Sequence, residues 1–419
     1  MAPAEVAAPA PPPSAGTPPT PPAPLAPSLP APEPPAAAPP EKKKEHFFDH
    51  VNVRGYTQLR YNELYQSNEA LNNLQGDRTV GGHSGFSFRR ARLVLMGEIH
   101  PHIDMYLQTD FASSSGDTLH LGQVRDWYFD IALDAEKELR FRVGQSKVPF
   151  GFENMQSSQN RLPMDRSDAM NSALNGERDI GVFFYYAPAS VRRMFKHLTD
   201  SGLKGSGDYG MLGLGVYNGQ TINRAEANAN KHVVARLTYP FELGGQIIEV
   251  GGGGYTGKYV VATNNEVTAP EEVRDARASL AIALYPQPFG LLAEYNIGTG
   301  PELTDFGNTV DAAGDEVFTG TVRRKSLHGG FVLASLRLQD LVPGVLTPFA
   351  RVMHYEGGKK HETNAPSYSV RELEAGAEWQ FIKNLELTAT YVEARRTSGR
   401  IPYDRESGRL VRLQFQINY

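Results

Sequence analysis

The 419-residue chain contains no cysteine. This absence excludes a disulfide framework, a cysteine-ligated zinc or iron–sulfur centre and a catalytic thiol. The chain also lacks an excess of basic residues, because 42 Lys and Arg stand against 47 Asp and Glu, for a formal net charge of −5. Since neutralisation of a phosphate backbone needs a basic surface, we expect no nucleic-acid partner.

Long hydrophobic runs are missing too. The mean hydropathy is −0.40, and no stretch of 18 consecutive residues is apolar. Transmembrane helices are therefore excluded. A membrane β-barrel remains compatible with this composition, because lipid-facing and lumen-facing residues alternate along each of its strands.

The first 40 residues hold 17 of the 30 prolines and 12 alanines, with almost no residue that could seed a core. We predict a disordered Pro/Ala-rich arm over residues 1–46, placed in the periplasm. Such an arm is semi-stiff and extended. A passive spacer and a contact with the cell wall or a partner are both open readings of it.

From residue 47 onward the main signal is an alternation of apolar and polar side chains with a period of two, which is typical of strands. In the last segment the polar face carries Arg412, Gln414 and Gln416, opposite Leu413, Phe415 and Ile417. About sixteen such segments begin near residues 51, 86, 102, 123, 138, 179, 209, 232, 246, 275, 289, 325, 346, 369, 385 and 409.

The connections between these segments alternate between short and long. The short ones include 134–137 and 242–245, and the long ones include 149–178 and 300–324. Short periplasmic turns and long outer loops are expected of an outer-membrane barrel. We predict an all-β fold, a closed antiparallel transmembrane β-barrel of about 16 strands over residues 47–419. The connection 188–208 is an exception, for which we expect a solvated turn rather than a helix-like plug.

Three sequence motifs occur in this order along the chain, at residues 89–93, 141–154 and 178–182, and they are more specific than the alternation of apolar and polar residues. They resemble motifs of the phosphate-selective porin O and P family. The resemblance implies a sixteen-stranded barrel in the bacterial outer membrane, assembled as a homotrimer. We expect no cofactor. The resemblance also implies that the long third loop, 149–178, folds inward and narrows the pore.

Basic residues stand on the polar faces of several strands. Rings of Arg and Lys select anions in pores, and the guanidinium fork suits phosphate. We therefore predict an anion path along eight arginines: Arg54, Arg60, Arg90, Arg92, Arg140, Arg142, Arg236 and Arg412. Carboxylates such as Asp126, Asp130 and Glu374 share the same polar faces, so ion pairs that merely stiffen the wall are an equally open reading.

The third loop and its flanks carry four further basic residues that we assign to the constriction: Lys147, Arg161, Arg166 and Arg178. Four acidic residues offset them: Glu153, Asp165, Asp168 and Glu177. This balance argues against strict phosphate selectivity and leaves pore formation untouched.

The leading hypothesis is a porin for passive diffusion of small hydrophilic anions, with phosphate or polyphosphate as the sharper guess. A general, weakly selective porin and a structural or adhesive barrel anchored by the arm are the alternatives. No Ser, His and acid spacing nominates an enzyme. The pair His100 and His102 lacks a third ligand, so we expect no metal site.

Overall fold

The computed structural model describes residues 50–65, 80, 84–115, 118–264, 267–399 and 404–419. The predicted arm over residues 1–46 lies outside these residues. No helix in the described part of the chain is long and apolar enough to cross a membrane.

Within the described ranges, sixteen strands and two helices form the fold. The strands are β1 (Val51–Tyr65), β2 (Gly85–His100), β3 (Ile103–Ser115), β4 (Thr118–Ala132), β5 (Leu139–Lys147), β6 (Arg178–Tyr186), β7 (Leu212–Tyr217), β8 (His232–Leu243), β9 (Gln246–Tyr259), β10 (Val273–Leu284), β11 (Phe289–Val310), β12 (Glu316–Leu336), β13 (Val345–Gly358), β14 (Ser367–Ile382), β15 (Leu385–Ser398) and β16 (Asp404–Asn418). The helices are α1 (Asp168–Ala173) and α2 (Ala189–Asp200), and the two-residue segments Val267–Thr268 and Leu338–Gln339 extend the sheet.

Each strand pairs antiparallel with the next, and β1 pairs with β16, from Tyr56 opposite Asn418 to Tyr65 opposite Arg409. The sheet is therefore a closed barrel without an unpaired edge, as a membrane environment requires. The predicted fold and strand number are confirmed. One connection differs from the prediction: residues 300–324 are largely paired strand, because β11 runs to Val310 and β12 starts at Glu316.

The two faces of the strands separate as the alternation predicts. On β16, Arg412 and Gln416 are buried inside, whereas Leu413 and Ile417 are each 41% exposed outside. The same exposed apolar character marks Trp127 and Phe129 on β4. These outward side chains form the apolar belt that faces lipid.

The connection between β5 and β6, residues 148–177, is the third loop, and it lies inside the barrel. Its residues Val148, Phe150 and Met170 are fully buried and pack with Phe183 and Tyr185 of β6. The loop also reaches the far wall, where Arg396 of β15 donates a hydrogen bond to Asp168 at 2.8 Å. The expected inward folding of this loop is confirmed.

The connection 188–208 contains α2, so the expectation of a solvated turn is wrong. Val191, Phe195 and Leu198 recur at helical spacing and are buried, packing with Phe152 of the third loop and Tyr285 beyond β10. An apolar stripe at this spacing is stabilised as a helix when a facing surface buries it. Three of the four basic side chains of α2, Arg193, Lys196 and His197, are exposed on its opposite side. The fourth, Arg192, is half-buried and pairs with Asp208 at 2.8 Å.

Candidate anion site in the lumen

A polar cavity of about 240 Å³ lies between the third loop and strands β2, β3 and β4. We call it the arginine cavity, and amide and hydroxyl side chains such as Gln123, Asn171 and Ser113 complete its wall. Six arginines and three carboxylates line it: Arg89, Arg90, Arg92, Arg125, Arg161 and Arg166 with Asp110, Asp165 and Glu177. Positive charge therefore exceeds negative charge within this cavity, although the whole chain is acidic.

Two of these arginines enter the lumen at β-bulges. In the β1–β2 ladder, Gln58 pairs with Arg90 and Leu59 with Phe88, so Arg89 is the extra residue. In the β3–β4 ladder, Gln108 pairs with Asp126 and Thr109 with Val124, so Arg125 is the extra residue. A bulge redirects a side chain that strict alternation would send to the opposite face. Arg89 and Arg125 thus line the cavity in spite of their lipid-side parity.

Arg90 and Arg92 project from β2 as the alternation predicts, but their partners differ. Arg92 forms an ion pair with Asp110 at 2.9 Å and donates a hydrogen bond to the Tyr56 hydroxyl at 2.8 Å. Arg90 donates to the side-chain oxygen of Gln58 at 2.7 Å. Among the described residues neither Arg90 nor Arg125 has a carboxylate partner, and Arg125 donates instead to the Gly176 carbonyl at 2.9 Å.

Asp165 of the third loop forms ion pairs with three arginines of the barrel wall. Arg60 and Arg89 each approach it at 3.1 Å, and Arg412 of β16 is also bonded to it. Burial alone would raise the pKa of this carboxyl, but Arg60, Arg412 and Arg89 lower the pKa of Asp165 well below its usual range. The predicted residues Arg60 and Arg412 thus hold the loop and border the cavity without lining it.

Glu177, at the other end of the loop, also forms ion pairs with several basic residues. It pairs with Arg161 at 2.7 Å and with Arg166 at 3.5 Å, and it also bonds Arg178. Lys147 lies 3.9 Å away. Burial would raise the pKa of Glu177, yet these cations lower it well below its usual range. Arg178 and Lys147, assigned to the constriction from sequence, are the first residue of β6 and the last of β5.

Several donors in the cavity are still unused. The Nε atoms of Arg90, Arg125 and Arg161 are buried and have no hydrogen-bond partner in the described structure. A buried donor without a partner is costly, and most such groups in proteins are satisfied by protein, water or ligand. Unused guanidinium donors and excess positive charge together make this cavity suited to an anion.

The remaining predicted arginines do not join the cavity. Arg140 pairs with Asp208 at 2.8 Å, and Arg142 makes two bonds of 2.7 Å to Asp130. Arg236 lies 3.5 Å from Glu249. We call these three the lower arginines. The eighth predicted residue, Arg54, is exposed near the turn end of β1.

Sequence reasoning missed Arg89 and Arg125, although a signal for both is present. By strict alternation Arg125 would share the lipid face with Trp127 and Phe129. An arginine exposed to lipid is costly, so a charged residue at that parity indicates a local break in the alternation. Arg89 also has the parity of the lipid face, next to Arg90, whose position on the lumenal face was predicted. A charged residue at this position likewise indicates a break in the alternation.

The family model described as phosphate-selective porin O and P matches residues 65–271. The chain is an outer-membrane porin. The resemblance carried by the three motifs is thereby confirmed, and the family and the fold indicate the bacterial outer membrane. No curated protein sequence matches this porin.

Solved structures with the same fold are distant in sequence. The outer membrane channel DcaP of Acinetobacter baumannii is 13% identical, with a TM-score of 0.53 over 88% of this chain and 97% of that one. The anion-selective porin from Comamonas acidovorans is 11% identical, with a TM-score of 0.52 over 88% and 99%. Salmonella typhi OmpF, in a complex with daunomycin, is 13% identical, with a TM-score of 0.52 over 89% and 100%. At these identities the likeness shows the fold of the porin.

Proposed function

We propose that this porin passes small hydrophilic anions, phosphate among them, by passive diffusion, and that the arginine cavity is where anions are selected. The observation that carries the proposal is the local charge balance, six arginines against three carboxylates around one polar cavity. Arg90 and Arg125 are central to it, since both lack a carboxylate partner among the described residues.

Selection at this place is electrostatic. An anion that enters the cavity exchanges part of its water shell for guanidinium donors, whose forked geometry can bond two oxygens of a phosphate group. The unused Nε donors of Arg90, Arg125 and Arg161 supply such bonds. The positive potential of the cavity repels cations, so the cavity discriminates by charge without any chemical step.

The carboxylates weaken anion binding in the cavity, and such weakening favours release. Conduction needs binding that is favourable enough for entry and weak enough for release. Asp165 and Glu177 lower the positive potential of the cavity and hold six basic side chains in fixed positions. We therefore expect weak, millimolar binding of single phosphate ions rather than tight capture, with polyphosphate spanning more of the arginines.

The assembly and the arm belong to the same proposal. We infer a homotrimer from the family resemblance, with the arm over residues 1–46 in the periplasm, where it acts as a spacer or contacts the cell wall. Mass photometry of the detergent-purified porin tests the first point, and a barrel that stays monomeric would contradict it. Protease access to the arm in intact cells and in spheroplasts tests the second.

The central test is the reversal potential in a planar bilayer under a salt gradient. The unmodified porin should pass anions several times more readily than cations, and Arg90→Gln combined with Arg125→Gln should bring the ratio close to one. Arg140→Gln is the matched control, because Asp208 keeps Arg192 as a partner at 2.8 Å. An unmodified ratio near one would favour the general porin, and absence of current would favour the structural barrel.

A further inference from the structure

A broad apolar groove of about 1410 Å³ runs over the outer face of strands β8–β15. We call it the outer groove. Its floor consists of small residues, among them Gly252, Ala278 and Ala293. Its walls consist of larger apolar side chains, among them Leu280, Val332 and Leu373. The groove faces the membrane on the opposite side of the wall from the lumen, so it is separate from the arginine cavity. Its lining suits hydrocarbon chains.

The loop-side rim of the outer groove is cationic. Two arginines, Arg371 of β14 and Arg395 of β15, line this rim together with one carboxylate, Glu393 of β15, and with His354 of β13. The histidine and the two arginines are direct cross-strand partners, with His354 opposite Arg371 and Arg371 opposite Arg395. Arg371 makes no ion pair or hydrogen bond with any residue that the structure describes, and Arg395 has Glu393 at 3.4 Å.

Two arginines directly opposite each other on one face of a sheet repel, and the repulsion grows as the surrounding dielectric falls. Both arginines point outward beside the apolar belt, where Leu373 is 46% exposed two residues below Arg371. An anion placed between the two guanidinium groups would remove this repulsion and bond both forks. The rim therefore favours a phosphate or another oxyanion.

The height of the rim matches a lipid headgroup. Arg371 lies eleven residues above Ile382, at the turn end of β14. At about 3.3 Å per residue and a tilt of about 45°, this corresponds to roughly 26 Å, close to the thickness of the apolar band of such barrels. The rim thus lies where the headgroups of the outer leaflet begin, and the groove extends below it to where acyl chains lie.

We propose that the outer groove binds a phosphate-bearing lipid of the outer leaflet, with its phosphate between Arg371 and Arg395 and its acyl chains along the Gly/Ala floor. A single amphipathic molecule of this kind places an anionic group against the arginines of the rim and hydrocarbon chains against the apolar floor. A second copy of this chain is the competing occupant of the apolar floor, and the oligomer measurement below distinguishes it from lipid.

The test is native mass spectrometry of the detergent-purified full chain, titrated with diphosphorylated lipid A and with its dephosphorylated form. The unmodified porin should retain the phosphorylated lipid at least fivefold better than the dephosphorylated one. Arg371→Gln combined with Arg395→Gln should abolish this preference. Arg323→Gln is the matched control, because this arginine of β12 pairs with Asp305 of β11, and both side chains are 63% exposed.

A second variant tests the floor. Ala278→Leu fills the groove with apolar volume while leaving the rim charges in place, so retention of both lipids should fall at least threefold. Heat-modifiable migration on a gel checks that each variant is folded. Equal retention of the two lipids, or full retention by the rim variant, would overturn the proposal. Dissociation of an oligomer by Ala278→Leu would also overturn it, because the groove would then be a subunit contact.

Discussion

The arginine cavity and the lower arginines are made of the same side chain and differ in their partners. Each lower arginine has a carboxylate partner: Asp208, which also pairs with Arg192, for Arg140, Asp130 for Arg142 and Glu249 for Arg236. In the cavity six arginines share three carboxylates, and two of the six have none among the described residues. We therefore expect selectivity to follow the local ratio of arginine to carboxylate rather than the number of lumenal arginines.

We therefore propose that the two interpretations of the sequence, an anion path and wall-stiffening ion pairs, apply to different groups of arginines. The lower arginines fit the wall reading, since Arg142 is fixed twice, by Asp130 and by the Tyr128 ring, whose centroid lies 3.8 Å from the guanidinium carbon. The cavity fits the path reading. Four predictions separate the two groups, beginning with the largest expected effect.

The first prediction concerns the cavity acid Asp165. Asp165→Asn removes one negative charge beside the arginines, so phosphate should block the channel roughly tenfold more tightly, and anion preference should rise. Block of single-channel current by added phosphate measures this effect. The control is Asp200→Asn, which removes an exposed acid of α2 that pairs with Lys196, and it should leave phosphate block unchanged. Equal changes in the two variants would show that the effect is not specific to the arginine cavity.

The second prediction concerns the lower arginine Arg142. Arg142→Gln leaves the buried carboxylate of Asp130 without its cation, and loss of one partner of a buried pair costs about 3 kcal/mol. Urea unfolding in lipid vesicles should show this loss of stability, while the reversal potential stays that of the unmodified porin. A variant with full stability and altered selectivity would reverse the roles of the two groups.

The third prediction concerns the bulge at Arg125. Arg125→Ala should reduce anion preference about threefold, because one cavity arginine without a carboxylate is lost. Deletion of Arg125 should have the same effect, since it removes the extra residue and lets β3 and β4 pair without the bulge. Arg224→Ala serves as a control at an exposed loop position. A deletion variant with undiminished anion preference would show that the bulge does not matter.

The smallest expected effect is that of mild acid. The pKa values of Asp165 and Glu177 both lie well below the usual range. Carboxyls with lowered pKa values stay ionised as the pH falls, and their ion pairs are lost only when the pH drops below those values. The ratio of anion to cation permeability of the unmodified porin, divided by that of Asp165→Asn, should therefore stay constant from pH 8 to pH 5. A rise in this ratio between pH 6 and pH 5 would contradict the paired state of these acids.

The fold could be predicted almost entirely from the sequence, because alternation and the rhythm of short and long connections reflect which side of the wall each residue faces. This parity also placed Arg90 and Arg92 correctly. It misplaced Arg125, because a bulge depends on register with the neighbouring strand rather than on the residue itself. The helix α2 was missed because its stability comes from burial of Phe195 and Leu198 against distant residues.

The pairing of charges could not be predicted either. The third loop carries four basic and four acidic residues at its flanks and within it, and the sequence suggests neutrality. Folding sends Asp165 to arginines of β1, β2 and β16, while Glu177 takes Arg161 and Arg166 within the loop. These ion pairs, several of which join residues far apart in the sequence, determine which arginines remain without a carboxylate partner.

The most direct test of the central claim is the position of a bound anion. Crystals of the porin soaked in selenate, a tetrahedral dianion similar to phosphate, would reveal bound anions by anomalous scattering of selenium. We predict a peak in the arginine cavity within hydrogen-bond distance of Arg90 and Arg125, and none beside Arg140, Arg142 or Arg236. Selenate at the lower arginines with an empty arginine cavity would contradict it.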